Sequence, residues 1–253
     1  MNSVPSGQLR LLTYNIHKGI GGIDRRYSLD RIVEVIQHYS PDVAVLQEVD
    51  FGVPRSRGHR QVRMLSEALG MPHREYQANV RLKQGHYGNA ILSRFPMTES
   101  TNLNLTVPPK KRRRALFAKL HIGIEDSTRT LLVCNTHLGL AGFERKIQIR
   151  RLLSSDMIRN IHHETPAIVA GDFNDVWMSI GRKLMFPAGF RCAVGGTKTF
   201  PAMMPVRSLD AIYYRGDLKL INSFAGRIEQ ARHASDHLPV ITDFQIATRG
   251  VEQ

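Results

Sequence analysis

Polar side chains that could do chemistry stand at the ends of apolar, strand-like segments throughout this sequence. In LTYNI, VAVLQEVD, VCNTHLG and AIVAGDFND they follow the apolar run, and in RSLDAIYY and ASDHLPV they flank its start. The groups are carboxylates, carboxamides and imidazoles, namely Asn15, Glu48, His137, Asp172, Asn174, Asp210, Asp236 and His237. A charged pair in front of a buried strand is costly unless it is paired or bound to something. If the strands bring these ends together, the groups form one acidic pocket with two histidines.

Such a pocket has the donor chemistry of a hard divalent cation. Carboxylate and amide oxygens suit Mg²⁺, Mn²⁺ or Ca²⁺, whereas too few Cys and His side chains are grouped for zinc. Mg²⁺ prefers one or two carboxylates, together with water and a substrate phosphate. The other carboxylates then remain free to orient a water molecule and a histidine.

Nine short segments rich in β-branched residues predict the strands that carry these groups, because each is bounded by Gly, Pro, Asp or Asn. They are residues 9–16, 43–47, 90–93, 115–122, 130–136, 167–170, 209–214, 218–224 and 238–244. Helical spacing predicts a helix after an N-cap at Ser28, others at 62–69 and 143–162, and a weaker one at 178–186. Many strands with few helices between them favour a layered α/β sandwich over a βαβ array.

The composition is that of one globular domain with a large positive charge. The 253 residues are 42% hydrophobic and 23% charged, with a net charge of +13. Without an internal boundary, we expect a single domain at 9–246, a flexible N-terminus at 1–8 and a tail at 247–253. No run of about 18 apolar residues predicts a transmembrane segment. Two cysteines give no disulfide framework, so a reducing, cytoplasmic setting is expected, and no oligomerisation segment is evident, so a monomer is expected.

Seven short motifs occur in the order found in the endonuclease/exonuclease/phosphatase superfamily, which this sequence therefore resembles. They are TYNIHKG, LQEV, YGNAILS, NTHLG, GDFN, LDAIYY and SDHLP, and they extend over residues 9–246. No single motif is decisive, but seven in order at compatible spacing are a specific signal. The likeness is greatest to small uncharacterised bacterial members that begin NIHKG and carry TFP before the LD strand.

The resemblance implies a four-layered α/β/β/α sandwich of two mainly antiparallel sheets, as in DNase I. It also implies a Mg²⁺-dependent phosphoester hydrolase in which Mn²⁺ can substitute. Glu48 would be the principal metal ligand, and Asn15 and Asp236 would assist it, directly or through water. His17 stands where some superfamily members carry an acidic residue, and this departure puts a second metal ion in doubt.

The same resemblance assigns the catalytic groups. Asp172 would orient or deprotonate the attacking water, and Asn174 would hold a phosphoryl oxygen. Asp210 and His237 would form a carboxylate–imidazole pair, and His137 would be a second phosphate-contacting histidine. A cation and imidazolium donors stabilise the charge that develops during phosphoester cleavage, and water as nucleophile requires no Ser or Cys.

Five further residues are predicted to face the substrate. Asn89 would contact phosphate or support a site histidine, unless it only begins a strand. In PPKKRRRAL, Arg113 or Arg114 would face phosphate, against the alternative of a solvated hairpin tip. His17 would touch substrate or only pack, and Phe200 would stack on a base, lie on an acyl chain or pack in its loop.

The positive charge favours a polyanionic substrate, with nucleic acid as the leading prediction. A phospholipid headgroup or a small phosphoester at an anionic membrane is the alternative. A non-catalytic module that binds anions is the minor one. The sequence has only 7% aromatic residues and no interleaved aromatic platform of the kind that binds single strands.

Overall fold

The computed structural model describes residues 7–125 and 127–247 of the chain as twelve strands with helices outside them. The strands are β1 Gln8–Asn15, β2 Val43–Phe51, β3 His73–Arg81, β4 His86–Ser93, β5 Met97–Asn104, β6 Arg114–Ile124, β7 Ser127–His137, β8 Ala167–Asp172, β9 Arg191–Cys192, β10 Asp210–Arg215, β11 Leu218–Ala225 and β12 Val240–Ile246. The α-helices are α1 Leu29–Tyr39, α2 Gln61–Ala68, α3 Gly142–Leu153, α4 Asp156–Arg159 and α5 Glu229–Ala234.

The strands form two six-stranded sheets. One has the order β11-β12-β1-β2-β4-β3 and the other the order β5-β6-β7-β8-β10-β9. Each sheet has one parallel pair, β1 with β2 and β7 with β8, and all its other pairs are antiparallel. The predicted sandwich of two mainly antiparallel sheets is therefore confirmed.

Three apolar clusters hold the layers together. Leu11 and Val133 belong to the cluster between the two sheets, whereas Leu12 and Ile32 belong to the cluster under α1 and α2. Ile149 belongs to the third cluster, beneath α3 and α4. Successive side chains of a strand point to opposite faces, so both faces of the central strands are buried. This explains why those strands are nearly continuous apolar runs rather than alternating ones.

The helices differ in detail from the prediction. The stretch 143–162 is broken into α3 and α4 because Ser155 has extended backbone angles and begins a new helix. The stretch 178–186 contains one π-helical turn, Gly181–Met185. Ser28 occupies the N-cap of α1 but makes no capping hydrogen bond through its side chain.

The chain ends lie largely outside the described residues. Of the predicted flexible segment 1–8 and tail 247–253, residues 1–6 and 248–253 are not described. Gln8 already pairs with Gln245 in the sheet, so β1 begins one residue earlier than predicted. Within the described residues, the structure has no helix of the length and apolar character needed to cross a bilayer.

Candidate active site

Four strand ends meet at one edge of the sandwich, which we call the active-site edge. β1 and β7 end there at Asn15 and His137, and β8 ends there at Asp172. β10 begins there, since Asp210 lies opposite Asp172 in the register. The two sheets touch at this edge because Asn15 Nδ2 donates to Asp172 Oδ2 at 3.1 Å. The predicted convergence of the polar strand ends is therefore present.

Asp172 is the centre of the cluster. His137 Nε2 lies 3.4 Å and His237 Nε2 3.8 Å from Asp172 Oδ2. The neighbouring Gly171 has φ 140°, and a Cβ there would lie 1.9 Å from the carbonyl oxygen of Thr136, so only glycine fits beside β7. This close approach of the two backbones places Asp172 beside His137 at the end of the parallel pair β7 and β8.

Asn174 follows in a left-handed conformation, with φ 52°. Its backbone N–H donates to Asp172 Oδ1 at 3.0 Å, and its side-chain Nδ2 donates to the carbonyl of Leu138 at 3.0 Å. A carboxamide nitrogen carries two N–H groups, so one remains for a ligand. The role of Asn174 at a phosphoryl oxygen stays a prediction with a suitable geometry.

His237 is held by a short chain of buried hydrogen bonds. Its Nδ1 lies 2.9 Å from Asp210 Oδ2, which also accepts the hydroxyl of Thr199 at 2.5 Å. Burial lowers the pKa of His237, but the charge and hydrogen bond of Asp210 outweigh burial and raise it to about 10. The ring of Phe200 packs on His237 with 5.0 Å between centroids. His237 is therefore an oriented imidazolium whose Nε2 faces Asp172.

His137 has the opposite protonation state. Burial lowers its pKa well below the usual value, and the nearby guanidinium of Arg113 lowers it further. Burial also raises the pKa of Asp172, although the charge of His237 opposes this shift. The cluster thus has one neutral and one charged imidazole around one carboxyl group. Such a difference between the pKa values of neighbouring groups separates the acid from the base.

In the metal-free protein we expect the His237 imidazole to stay protonated at pH 8 and to lose its proton near pH 10, because Asp210 stabilises the charged form. Since its pKa is raised from 6.5 on folding, its contribution to stability is complete below pH 6.5 and is lost as the pH rises to about 10. Asp210→Asn should move the transition below pH 7. Imidazole ¹⁵N and ¹³C shifts measured against pH in EDTA test this, and an unchanged transition in Asp210→Asn would refute the pairing.

The predicted metal ligands lie beside this cluster. Glu48 has φ 56°, which turns its side chain out of the line of β2, and its carboxylate pairs with the ammonium of Lys18. Burial raises the pKa of Glu48, but the charge that His137 carries when protonated and the ammonium of Lys18 outweigh burial and lower it to about 2. Asp236 Oδ1 lies 3.9 Å from His17 Nδ1, in a partly exposed position.

These donors fit Mg²⁺ better than a metal held by protein alone. Within residues 7–125 and 127–247, no three His, Cys, Asp or Glu side chains are grouped to hold an ion. Mg²⁺ keeps several waters and takes one or two carboxylates, as Glu48 and Asp236 could supply. Asn15 Oδ1 accepts the backbone N–H of His17 at 3.1 Å and retains a second lone pair. The Lys18 ammonium pairs with one oxygen, Oε2, of the Glu48 carboxylate.

Of the residues predicted to face the substrate, Arg113 has an unpaired donor near the site, whereas Asn89, Arg114 and His17 make contacts within the protein. Arg113 is buried near His137, and its Nε has no hydrogen-bond partner among the described residues. Asn89 is also buried, and it donates to the carbonyl of Arg114 at 3.1 Å. Asn89 thus holds the start of β6, and Arg114 takes part through its backbone. His17 is partly buried, with Nδ1 2.9 Å from the carbonyl of Ile20.

Sequence reasoning missed three cationic or aromatic residues near Glu48. Lys18 Nζ lies 5.7 Å from the ring centroid of Tyr87, and the Arg55 guanidinium lies 5.2 Å from it. Arg55 also pairs with the buried Asp50 at 2.7 Å. Lys18 lies inside the TYNIHKG motif and could have been noticed, but nothing local marks Tyr87 or Arg55.

The fold and the site together are those of a class of protein, the phosphoesterases. The comparison with known sequences agrees. The profile of the Endonuclease/Exonuclease/phosphatase family matches residues 12–237, and the chain belongs to that family. The family typically uses a divalent metal, and its members are phosphoesterases.

The relatives cover nearly the whole chain. The uncharacterised protein YbhP of Escherichia coli is 28% identical over 94% of this chain and 96% of its own length. The structure of an endonuclease/exonuclease/phosphatase from Beutenbergia cavernae matches with a TM-score of 0.81, 23% identity, and coverage of 96% of this chain and 73% of that one. A mannosyl-6-phosphatase of Bacteroides thetaiotaomicron matches with a TM-score of 0.72, 17% identity, and coverage of 93% and 99%. The predicted resemblance is confirmed.

Proposed function

We propose that this protein is a Mg²⁺-dependent phosphodiesterase that uses water as its nucleophile. The observation that carries the proposal is the arrangement around Asp172, where a charged and a neutral imidazole lie within 4 Å of one carboxylate oxygen. Glu48 and Asp236 stand beside them as the hard donors that a divalent cation requires. Site roles of single residues are part of this proposal.

In the proposed reaction, Asp172 accepts a proton from water as the water oxygen bonds to phosphorus. A base is most effective when its pKa is near the working pH, and burial moves the pKa of Asp172 upwards in that direction. The phosphorus–oxygen ester bond breaks, and the leaving oxygen takes up a proton from solvent. When bound at Glu48 and Asp236, Mg²⁺ supplies positive charge that offsets charge on the phosphate oxygens.

The other side chains of the site hold the phosphate group of the substrate in one orientation. The His237 imidazolium donates from Nε2 to a non-bridging oxygen, and Asp210 keeps its ring in place. Arg113 and Asn174 donate to further phosphate oxygens. Such donors act most strongly where they are fixed before reaction, as buried hydrogen-bonded groups are.

Substrate choice is the finer part of the proposal. The net charge of +13 supports a polyanion, and nucleic acid is the first substrate to test. The mannosyl-6-phosphatase with the same fold shows that the fold alone does not choose the substrate. Phospholipid headgroups are the second candidate. The exposed apolar residues around the site favour this candidate.

We expect the wild-type protein to nick supercoiled plasmid at low salt when Mg²⁺ is added, because basic loops surround the acidic centre. His237→Gln should abolish nicking, since it removes the charged donor. Gel electrophoresis of the plasmid forms measures both. Equal nicking by the two proteins would contradict the roles assigned here. If neither nicks DNA, hydrolysis of phospholipid vesicles and of small phosphate esters decides between the remaining substrates.

A further inference from the structure

The exposed large apolar side chains of the protein are concentrated at the active-site edge. The described residues include eleven such side chains. Eight lie in connections or in a first helical turn at this edge: Ile23, Leu82, Leu140, Phe143, Trp177, Met203, Met204 and Val206. Phe186 borders the same groove as Trp177, Met64 lies in the first turn of α2, and Ile221 lies on β11. In the part of the chain that the structure describes, the connections at the opposite edge contribute none, so the exposed apolar side chains are unevenly distributed over the surface.

Exposed positive charge is also abundant in the same connections. Their exposed cations include Arg25, Arg26, Arg57, Arg60, Lys83, Lys110, Lys111, Arg112, Arg182, Lys198, Arg207 and Arg227. Within the described residues, the exposed carboxylates of these connections and first helical turns are Asp24, Asp30 and Glu229, and Asp24 is paired with Arg31. The exposed surface of these connections therefore carries an excess of positive charge around the acidic centre.

Apolar and cationic side chains are interleaved at short range. Lys110 Nζ lies 6.0 Å from the ring centroid of Phe143, so the connection between β5 and β6 meets the first turn of α3. Trp177 and Val206 line one open groove of about 470 Å³ together with the cations Arg182 and Lys198. We call the following set the docking rim: Leu140, Phe143, Trp177, Met203, Met204, Val206, Lys110, Arg182 and Lys198.

We propose that the docking rim binds the surface of an anionic phospholipid bilayer. Cations at the lipid headgroup level and apolar side chains a few ångströms deeper are the arrangement that peripheral membrane proteins use. Leu140 is 77% exposed, Trp177 78% and Met204 72%, which is costly in water and favourable in an acyl layer.

The composition of the rim favours lipid over nucleic acid as its partner. Leu140, Met203, Met204 and Val206 have no π-face on which a base could stack, whereas stacking residues are the mark of nucleic-acid grooves. Tryptophan is enriched at the membrane–water interface, and Trp177 has an apolar ring with a polar N–H. Docking of the rim would place the phosphoester of a membrane lipid at the active-site edge. Hydrolysis of that lipid rests on the phosphodiesterase activity proposed above. Binding of the rim to the membrane does not rest on that activity.

Trp177 is the only tryptophan in the sequence and so reports on the rim directly. The test uses Asp172→Asn protein, so that no turnover disturbs binding. Mixed phosphatidylcholine and phosphatidylglycerol vesicles should shift the fluorescence emission of Trp177 to shorter wavelength, and brominated acyl chains should quench that emission. Phosphatidylcholine vesicles alone should give a much smaller shift. Unchanged emission with the anionic vesicles would overturn the proposal, whatever the protein hydrolyses.

Variants separate rim insertion from simple charge attraction. Leu140→Ser combined with Met204→Ser should lower partitioning onto the anionic vesicles about tenfold in co-sedimentation, because two apolar anchors are lost. Ile221→Ser combined with Met64→Ser is the matched control, since Ile221 lies on β11 and Met64 on α2, and neither element carries a rim residue. Equal loss in controls and rim variants would refute a specific surface. Binding of an oligonucleotide that depends on the rim, without vesicle binding, would assign the rim to nucleic acid instead.

Discussion

Replacing Asp172 by Asn should lower kcat for any hydrolysed phosphoester by about 10³-fold, the range expected for loss of a general base. The carboxylate accepts hydrogen bonds from Asn15 and from the backbone of Asn174, and a carboxamide oxygen of the same shape retains one of them. KM should change little, because the phosphate is held by other groups. Steady-state kinetics with bis(p-nitrophenyl) phosphate and Mg²⁺ provide the measurement.

The same variant should fold at least as well as the wild type. Burial raises the pKa of Asp172, which means that its charged form is costly in the folded state, and Asn carries no charge. Thermal unfolding should therefore show an equal or higher Tm. Asp30→Asn, at an exposed position in the first turn of α1, is the matched control and should leave kcat unchanged. Retention of kcat within about tenfold of wild type would remove Asp172 from the mechanism.

The central strands could be predicted because burial on both faces leaves a continuous apolar signal. Strands β1, β2, β7, β8, β10 and β12 all carry such runs, and a polar site residue lies in or next to each of them at the active-site edge. The edge strands β3 and β5 were missed, because they are polar and partly exposed. MTESTNLN, which forms β5, has mostly exposed residues and reads locally as a loop. Its strand conformation depends on pairing with β6, a contact that local sequence does not encode.

The identities of the site residues could be predicted from motifs, but their protonation states could not. Whether His137 or His237 carries charge depends on which is nearer to Asp210 and which to Arg113, and both distances arise only in the fold. Thr199 was visible in the TFP motif, yet its hydrogen bond to Asp210 crosses eleven positions of the chain. Lys18 lies within a motif, but its partner Glu48 is thirty residues away.

Substitutions of Glu48 and of its partner Lys18 should change the affinity for Mg²⁺ in opposite directions. Glu48→Gln removes a charged oxygen ligand, and Mg²⁺ affinity should fall about 100-fold or more, since loss of even a supporting group around a metal costs up to that factor. Lys18→Met removes the ammonium that pairs with Glu48 and should raise Mg²⁺ affinity about tenfold, equivalent to 1.4 kcal/mol. Isothermal titration calorimetry, or Mn²⁺ detected by electron paramagnetic resonance, measures both without substrate.

Lys119→Met is the matched control, because Lys119 pairs with Glu99 on the β5–β6 ladder, and it should leave metal affinity unchanged. If Lys18→Met instead weakens binding, the ammonium orders the Glu48 carboxylate for the metal and does not compete with it. If Glu48→Gln binds Mg²⁺ as the wild type does, the cation is held elsewhere, and the pairing of Lys18 with Glu48 is only structural. Opposite shifts would mean that Lys18 neutralises a ligand buried at the site until a divalent cation replaces it.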